Sequence, residues 1–167
     1  IIMTIREAAQ VSQAGWNGHH ELFTGVSTDS RKLKPGDLFV AITGERFDGN
    51  QFVASAKEHG AVAAMIRRDF AMGDVPEDFP LIRVDDTRLG LGQLAAHWRD
   101  GFSLPLIGVT GSNGKTTVKE MIAAILRHAT ATDATASGQK NDRVLATEGN
   151  LNNDIGVPQM LLRLRAY

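Results

Sequence analysis

The stretch at residues 107–117 constrains the fold of this chain more than any other. A short apolar run ends at a glycine-rich turn, and Gly114-Lys115-Thr116-Thr117 then opens a helical pattern. Apolar residues recur in that pattern with helical spacing at Val118, Met121, Ile122, Ile125 and Leu126. The spacing predicts a helix with one buried face, and the apolar run predicts a buried strand. A helix N-terminus behind such a turn offers unpaired N–H groups to an anion, so the stretch predicts a phosphate-binding loop.

The residue types in the loop suit this role. Gly111 and Gly114 allow positive φ and close approach of the backbone to a phosphate. Lys115 can reach the β- and γ-phosphates, and the Thr116 hydroxyl can ligate Mg²⁺. The spacing departs from the usual motif, because the first glycine is expected at Val109 and stands one place earlier. The alternative is a glycine-rich turn that binds nothing; we favour a nucleotide phosphate site, because strand, helix and Lys-Thr pair agree.

Composition excludes several classes of protein. The chain has 167 residues, of which 43% are hydrophobic, enough for one medium domain or two small ones. The net charge is −1 with acids and bases interspersed, which argues against nucleic acid as a partner. Cysteine is absent, so disulfides and thiolate catalysis are excluded. No apolar run approaches the ~18 residues of a membrane span, and no signal peptide is visible, so we expect a cytoplasmic protein.

The first half of the chain predicts an α/β arrangement. Thr4 and Glu7 form a capping-box pattern for a helix to about Val11. Residues 38–42 are a continuous apolar run typical of a buried strand. The helix expected next, over 51–58, has Phe52, Val53 and Ala56 on its buried face and Gly60 as its C′ residue. Further strands are expected at 61–66 and 81–84, and Asp86-Thr87 should cap a helix with an apolar face at Leu91, Leu94, Ala95 and Trp98.

The second half begins again with the phosphate loop. A strand is plausible over 143–147, and a helix should begin at Val157-Pro158, where proline suits the first turn. We therefore expect a small N-terminal α/β domain at 1–86, a linker helix at 87–104, and the beginning of a second α/β domain, which holds the phosphate loop, at 105–167.

Three polar segments are further candidates for ligand contacts. Residues 27–31 are either a ligand loop or a solvated turn, and 45–50 leave the same two alternatives open. The amide cluster of 150–154 is either an asparagine-rich turn or a substrate contact. We favour the contact, because ligands of open α/β sheets bind where strands end. The five histidines, which include His19 and His20, lack metal-ligand spacing, and Asp85-Asp86 fits helix capping better than catalysis.

The chain resembles the Mur ligases of peptidoglycan synthesis. The resemblance is carried by Ser-Thr-Asp-Ser-Arg at 27–31, Pro-Gly-Asp-Leu-Phe-Val-Ala-Ile at 35–42, Gly-Glu-Arg-Phe-Asp-Gly at 44–49 and Thr-Gly-Ser-Asn-Gly-Lys-Thr-Thr at 110–117. The tail Thr-Glu-Gly-Asn-Leu-Asn-Asn-Asp-Ile-Gly-Val-Pro at 147–158 is similar to the branch that joins D-alanyl-D-alanine to UDP-N-acetylmuramoyl-tripeptide. The family usually has histidine where this chain has Asn50.

The resemblance implies an ATP-dependent ligase of three domains, the first for the UDP part of the substrate and the central one for ATP. It implies ATP contacts at Gly111, Ser112, Asn113, Gly114, Lys115, Thr116 and Thr117. It also implies Mg²⁺ at Thr116 and a catalytic role for Lys115. It implies contacts to the UDP-substrate at Thr28, Ser30, Glu45, Arg46, Phe47, Asn152 and Asn153. A monomer is expected.

The implied reaction transfers the terminal phosphoryl group of ATP to the substrate carboxylate, and the amine of D-alanyl-D-alanine then displaces phosphate. The family's further magnesium-binding acid, its modified lysine and its third domain are expected beyond residue 167. We therefore expect the chain to be an N-terminal portion that is inactive alone. Two alternatives are another Mur-type ligase, such as the one adding a diamino acid, and a non-catalytic UDP-sugar-binding module.

Overall fold

A mixed sheet of five short strands forms the centre of the N-terminal half. The computed structural model describes residues 3–17, 21–71, 73, 75, 77–131 and 143–165. The strands are β1 Met3–Thr4, β2 Gly15–Asn17, β3 Leu22–Phe23, β4 Gly25–Ser27, β5 Asp37–Val40, β6 Ala63–Arg67 and β7 Leu81–Val84. The helices are α1 Ile5–Val11, α2 Val53–Glu58, α3 Thr87–Asp100, α4 Lys115–Ala131 and α5 Gly156–Leu161. Short 3₁₀ turns occupy Ser30–Lys32 and Gly49–Phe52.

The order of strands in the main sheet is β2-β7-β6-β5-β4. The four strands β7, β6, β5 and β4 are parallel, and β2 pairs with β7 in the antiparallel sense. A separate antiparallel pair joins β1 and β3. Parallel strands need crossover connections, and α2 supplies the one between β5 and β6. The α/β fold expected for the N-terminal half is therefore confirmed.

The sheet is buried on both faces, and successive residues of β5 alternate between two cores. Leu38 and Val40 join a cluster with residues of α1 and α3, whereas Phe39 joins a cluster with Val53 and Ala56 of α2. This alternation follows from the two-residue period of a strand. Because both faces are covered, β5 consists of apolar residues throughout after Asp37, as the sequence predicts for a buried parallel strand.

Helix α3 packs on the sheet and against α5. Asp86 caps α3 by accepting hydrogen bonds from the N–H groups of Arg88 and Leu89, at 2.8 and 3.3 Å. The side chains Leu91, Leu94 and Ala95 are buried in the same cluster as Leu162, just after α5. The Trp98 indole N–H donates to the Leu164 carbonyl at 3.1 Å. None of the helices in the described ranges is long and apolar enough to cross a membrane.

Several local predictions are confirmed. Helix α1 begins after Thr4, whose hydroxyl accepts the Glu7 N–H at 3.1 Å. The Glu7 carboxylate, which a capping box would direct back to Thr4, instead bonds His97 Nε2 at 2.9 Å. Strand β7 has the expected bounds, and α3 begins after the expected cap. Helix α2 ends in a Schellman motif, because Gly60 has φ +97° and its N–H and that of Ala61 donate to carbonyls of the last turn.

The packing predicted for Phe52 is wrong. Val53 and Ala56 are buried as expected, but Phe52 lies in the 3₁₀ turn before α2 and is 42% exposed. A 3₁₀ turn advances with three residues per turn, so the side chain leaves the helical face that α2 buries. The strands β2, β3 and β4 had no apolar signal strong enough to predict them, since each has two or three residues.

The predictions around the phosphate loop are partly wrong. Helix α4 is present, but Ala123 is its buried residue, whereas Met121 and Ile125 of the predicted core face are exposed. No strand forms at 107–109 or 143–147. A strand needs a neighbour for its N–H and C=O groups, and within the described residues neither segment pairs with one. The apolar face of α4 likewise has no sheet to cover it within this part of the chain.

The packing of α3 on the sheet leads to a stability prediction. Leu94→Ala should lower the free energy of unfolding by about 2–5 kcal/mol, because Leu94 is fully buried and its removal leaves a cavity. Leu89→Ala on the same helix is the control, since Leu89 is 61% exposed and its loss should change stability by about 0.5 kcal/mol or less. Urea unfolding measures both variants. Equal effects would contradict the placement of this helix.

Candidate functional site

The phosphate loop connects an extended segment to the N-terminus of the 17-residue helix α4. Gly111 and Gly114 have φ values of +145° and +75°, which L side chains rarely adopt. The positive φ expected at these two positions is therefore confirmed. The Gly114 carbonyl accepts the Val118 N–H at 3.0 Å, so the first turn of α4 follows the second glycine directly. A helix of this length directs unpaired N–H groups and a positive dipole end toward the loop.

The side chains of the loop are arranged for an anion. The Lys115 ammonium folds back and donates to the Gly111 carbonyl, which places a positive charge over the turn. Ser112, Asn113, Thr116 and Thr117 are exposed around it. An ammonium, hydroxyls and backbone N–H groups on one surface can hold the oxygens of a phosphate.

A magnesium ion at this loop is compatible with the residues present. The Thr116 hydroxyl is exposed in the first turn of α4 and is a hard oxygen donor of the type that Mg²⁺ takes. Mg²⁺ commonly keeps several waters and needs only one or two protein oxygens beside substrate phosphates. Across the described ranges, no group of three or more His, Asp or Glu residues could hold a metal by itself.

Lys119 connects the helix of the phosphate loop to the chain that follows. Its ammonium donates to the Thr147 carbonyl at 2.5 Å and pairs with Glu120 at 2.7 Å. The hydrogen bond from Lys119 holds the pKa of Glu120 below its usual range. Residues 144–149 and α4 line a polar cavity of about 310 Å³, and the Glu148–Arg163 ion pair at 3.0 Å lies beside it. One face of α4 therefore meets the segment that leads into the amide cluster.

The amide cluster is partly occupied by structural hydrogen bonds. Asn153 Oδ1 accepts from the N–H groups of Ile155 and Gly156, at 3.2 and 2.7 Å, and so caps the start of α5. Asp154 pairs with Arg88 of α3 at 3.0 Å. Asn152 is exposed. The cap uses the Asn153 carbonyl oxygen and not its NH₂ group, and among the described residues the Asn152 side chain has both a donor and an acceptor to offer.

The polar loop after β4 is ordered by its own side chains. Ser27 Oγ donates to the Asp29 carbonyl at 3.0 Å, and the Asp29 carboxylate binds the Arg31 guanidinium through two contacts of 2.9 Å. The hydrogen bond from Arg31 holds the pKa of Asp29 below its usual range. Ser30 is buried in the 3₁₀ turn. The Thr28 hydroxyl accepts a hydrogen bond of 2.8 Å from Gln159 of α5.

The loop after β5 is organised around a carboxylate and a buried amide. Asp48 Oδ1 accepts from the side chains of Asn50 and Thr43, at 2.5 and 3.2 Å, and from the Asn50 N–H at 3.0 Å. Burial raises the pKa of Asp48, but these hydrogen bonds outweigh it and leave the pKa below its usual value. Asn50 is 1% exposed, and its Oδ1 accepts the Arg67 N–H at the end of β6.

The two loops lie at one edge of the sheet. They follow the carboxyl ends of the neighbouring parallel strands β4 and β5, the usual place for ligands in such sheets. Glu45, Arg46 and Phe47 are exposed at the tip of the second loop. Two side chains connect these loops to the end of the chain. Gln159 of α5 donates to Thr28, and Arg88 of α3 bonds both Asp154 of the amide cluster and the Thr43 carbonyl, the latter at 3.4 Å.

Sequence reasoning did not find Gln159, Arg88 or Lys119. Each side chain contacts a segment distant in the chain, with separations of 131, 66 and 28 residues to Thr28, Asp154 and Thr147. Nothing local marks the contacts of Gln159 and Arg88. A charged residue one turn into a phosphate-loop helix, as Lys119 is, was the one available signal.

A glycine-rich loop on a long helix, preceded by an α/β unit with polar loops at its strand ends, is the arrangement typical of a nucleotide-binding protein. Two family models agree with this class. The model described as "Mur ligase family, catalytic domain" matches residues 22–99, and "Mur ligase middle domain" matches 109–166. Together they span most of the chain. The chain belongs to the Mur ligase family.

Individual relatives are similar to this chain along nearly its whole length. The UDP-N-acetylmuramoyl-tripeptide–D-alanyl-D-alanine ligase of Escherichia coli is 43% identical over 164 residues, which are 98% of this chain and 32% of that protein. A crystal structure of MurF from Acinetobacter baumannii is 40% identical with a TM-score of 0.79, over 98% of this chain and 33% of that one.

The MurF ligase of Thermotoga maritima, solved in complex with ADP, is 32% identical with a TM-score of 0.65, over 88% of this chain and 31% of that one. The chain thus spans about a third of the length of the relatives it matches.

The network around Asp48 gives a pH-dependent prediction. Asp48→Asn should lower the free energy of unfolding near pH 7 by about 1–2 kcal/mol, because it removes a charged hydrogen-bond acceptor. The folded pKa lies below the unfolded value of 3.8, so this contribution is complete above pH 3.8 and is lost as the pH falls through the folded pKa.

The difference between the two proteins, measured by urea unfolding from pH 7 to pH 3, should therefore shrink at the acid end. Asp78→Asn is the control, because this carboxylate is 84% exposed in its ion pair with Lys57. A difference that grows as the pH falls would contradict the sign of the shift.

Proposed function

We propose that the protein carrying this chain joins D-alanyl-D-alanine to UDP-N-acetylmuramoyl-tripeptide at the expense of ATP. The observation that supports this most strongly is the match along 98% of the chain to ligases named for that reaction. The phosphate loop supplies the chemical reason for ATP. The product would be a precursor of peptidoglycan, and thus of the cell wall that determines shape and division.

The ATP half of the proposed site consists of Gly111–Thr117. The backbone N–H groups at the start of α4 bind the phosphates, and the Lys115 ammonium moves from the Gly111 carbonyl to the phosphate oxygens. Thr116 would hold Mg²⁺, which would supply neutralisation of the phosphate charge when bound. These groups orient the terminal phosphoryl group toward the substrate carboxylate. Positioning and charge neutralisation are the main contributions that a protein makes to phosphoryl transfer.

The substrate half of the proposed site consists of the loops after β4 and β5 and the amide cluster. Thr28 and Ser30, with Glu45, Arg46 and Phe47, surround the uridine diphosphate end. Asn152 and Asn153 bind nearer the sugar and phosphates, where amides pair with both donors and acceptors. The substrate carboxylate then accepts the phosphoryl group, the amine of D-alanyl-D-alanine attacks the acyl carbon, and inorganic phosphate leaves as the amide forms.

The domain organisation remains part of the proposal. Residues 1–86 would bind the UDP-substrate, 87–104 would connect the domains, and 105–167 would begin the ATP-binding domain. The change from one family model to the other between residues 99 and 109 supports a boundary in this region. We further propose that the protein acts as a monomer in the cytoplasm.

A substrate panel with the full-length protein tests the proposed reaction. ATP, UDP-N-acetylmuramoyl-tripeptide and D-alanyl-D-alanine should together give ADP, phosphate and the UDP-pentapeptide, and omission of any one should stop multiple-turnover formation of ADP. Selective turnover of the UDP-dipeptide with a diamino acid would identify another Mur-type ligase instead. Binding of the UDP-sugar without any ATP-dependent product would identify a binding module and overturn the proposal.

Lys115→Ala should lower kcat/KM for ATP at least about a hundredfold, because it removes the positive charge that the loop presents to the phosphates. Binding of the UDP-substrate should remain nearly unchanged, since Thr28, Ser30 and the loop after β5 are untouched. Initial rates and titration calorimetry measure the two effects. Lys57→Ala, which removes a lysine of α2 paired with Asp78, is the control. An unchanged rate in Lys115→Ala would contradict the assignment of the loop.

A further inference from the structure

One hydrogen bond joins α5 to the loop that follows β4. The Gln159 amide Nε2 donates to Thr28 Oγ1 at 2.8 Å, across 131 residues of sequence, and both side chains are partly buried. Thr28 is one of the residues proposed to contact the UDP end of the substrate. Gln159 belongs to none of the motifs that the sequence brings forward.

The position of Gln159 is fixed by packing on either side of it. Its neighbours Pro158 and Met160 are buried, and Leu162 belongs to the core cluster with α3. The Asn153 side chain caps the helix start. A six-residue helix has little stability by itself, so these contacts hold α5 and direct Gln159 toward the loop.

The Thr28 side chain is held by a contact from outside its loop, whereas its neighbours are held within the loop. Ser27 and Asp29 are held by hydrogen bonds within the loop, and Arg31 is held by Asp29. The Thr28 hydroxyl is held from another element of the fold. Because Gln159 donates, it occupies a lone pair of Thr28 Oγ1 and leaves the hydroxyl hydrogen to point elsewhere. That hydrogen can then be donated to an acceptor oxygen of a ligand.

We propose that Gln159 is a positioning residue for the UDP-bearing substrate and acts through the Thr28 hydroxyl. Gln159 sets the rotamer of Thr28 so that its hydroxyl donates to a carbonyl or phosphate oxygen of the uridine diphosphate end. This proposal rests on the proposed function for the role of Thr28. The contact also makes the loop of the first half dependent on the docking of α5, which follows the amide cluster.

A double-mutant cycle in the full-length ligase tests the proposal. Gln159→Leu keeps the size of the side chain and removes its donor, whereas Thr28→Val keeps the shape and removes the hydroxyl. Gln159→Leu should raise KM for UDP-N-acetylmuramoyl-tripeptide about three- to tenfold, as expected for one lost hydrogen bond, and leave KM for ATP unchanged. In the Thr28→Val background it should have no further effect, because the group through which it acts is gone.

Two further variants separate positioning from packing. Thr28→Ser retains the hydroxyl, so Gln159→Leu should still raise KM in that background. Gln10→Leu on the exposed end of α1 replaces a matched side chain away from the site and should change neither KM.

Independent effects of Gln159→Leu and Thr28→Val, or an equal rise in KM for ATP, would overturn the role of Gln159. Failure of the proposed function is a separate result: it would appear as no turnover of these substrates by the unmutated protein.

Discussion

The packing of α5 against α3 is the contact on which the proposed site depends. Helix α3 lies on the sheet through Leu91 and Leu94, and the chain after α5 enters the same core at Leu162. This packing brings residues that follow the phosphate loop back to the N-terminal half. Without it, the Thr28 loop and the amide cluster would have no fixed relation. Burial of apolar surface thus determines where the polar ligand groups meet.

The same arrangement connects the two proposed ligand regions through one segment of the chain. Lys119 holds the start of the segment at the Thr147 carbonyl, and Gln159 holds its end at Thr28. The amide cluster lies between these two contacts. A ligand on the phosphate loop and a ligand on the N-terminal loops would therefore meet a segment that is held at both ends. In a ligase that moves a phosphoryl group between two substrates, such a connection would limit the reactants to productive positions.

Much of the fold could be predicted where one local signal was sufficient. Strand β5 is apolar because both faces of the sheet are covered, and Asp86 marks the start of α3 by capping it. The short strands β2 and β4 could not be predicted, because their existence depends on pairing with β7 and β5. The strand expected at 107–109 is wrong for the same reason, since no described neighbour pairs with it.

In the candidate site too, features with a local signal could be predicted from the sequence, and features that depend on long-range contacts could not. The glycines of the phosphate loop could be identified because Gly111 and Gly114 need a backbone conformation that glycine supplies locally. The contacts of Gln159 with Thr28 and of Arg88 with Asp154 could not, since they form only when residues far apart in the chain come together. That Asn153, a proposed ligand group, also caps a helix could not be predicted either, because the exact start of α5 is evident only in the structure.

Amide hydrogen exchange of α5 tests the docking of this helix most directly. A helix of six residues cannot protect its own amides in water, so protection there reports packing on α3. If α5 is docked, the N–H groups of Gln159 and Leu162 should exchange as slowly as those in the middle of α3. Exchange at the rate of an unstructured peptide would contradict this docking, because the amide cluster would then have no fixed place beside Thr28.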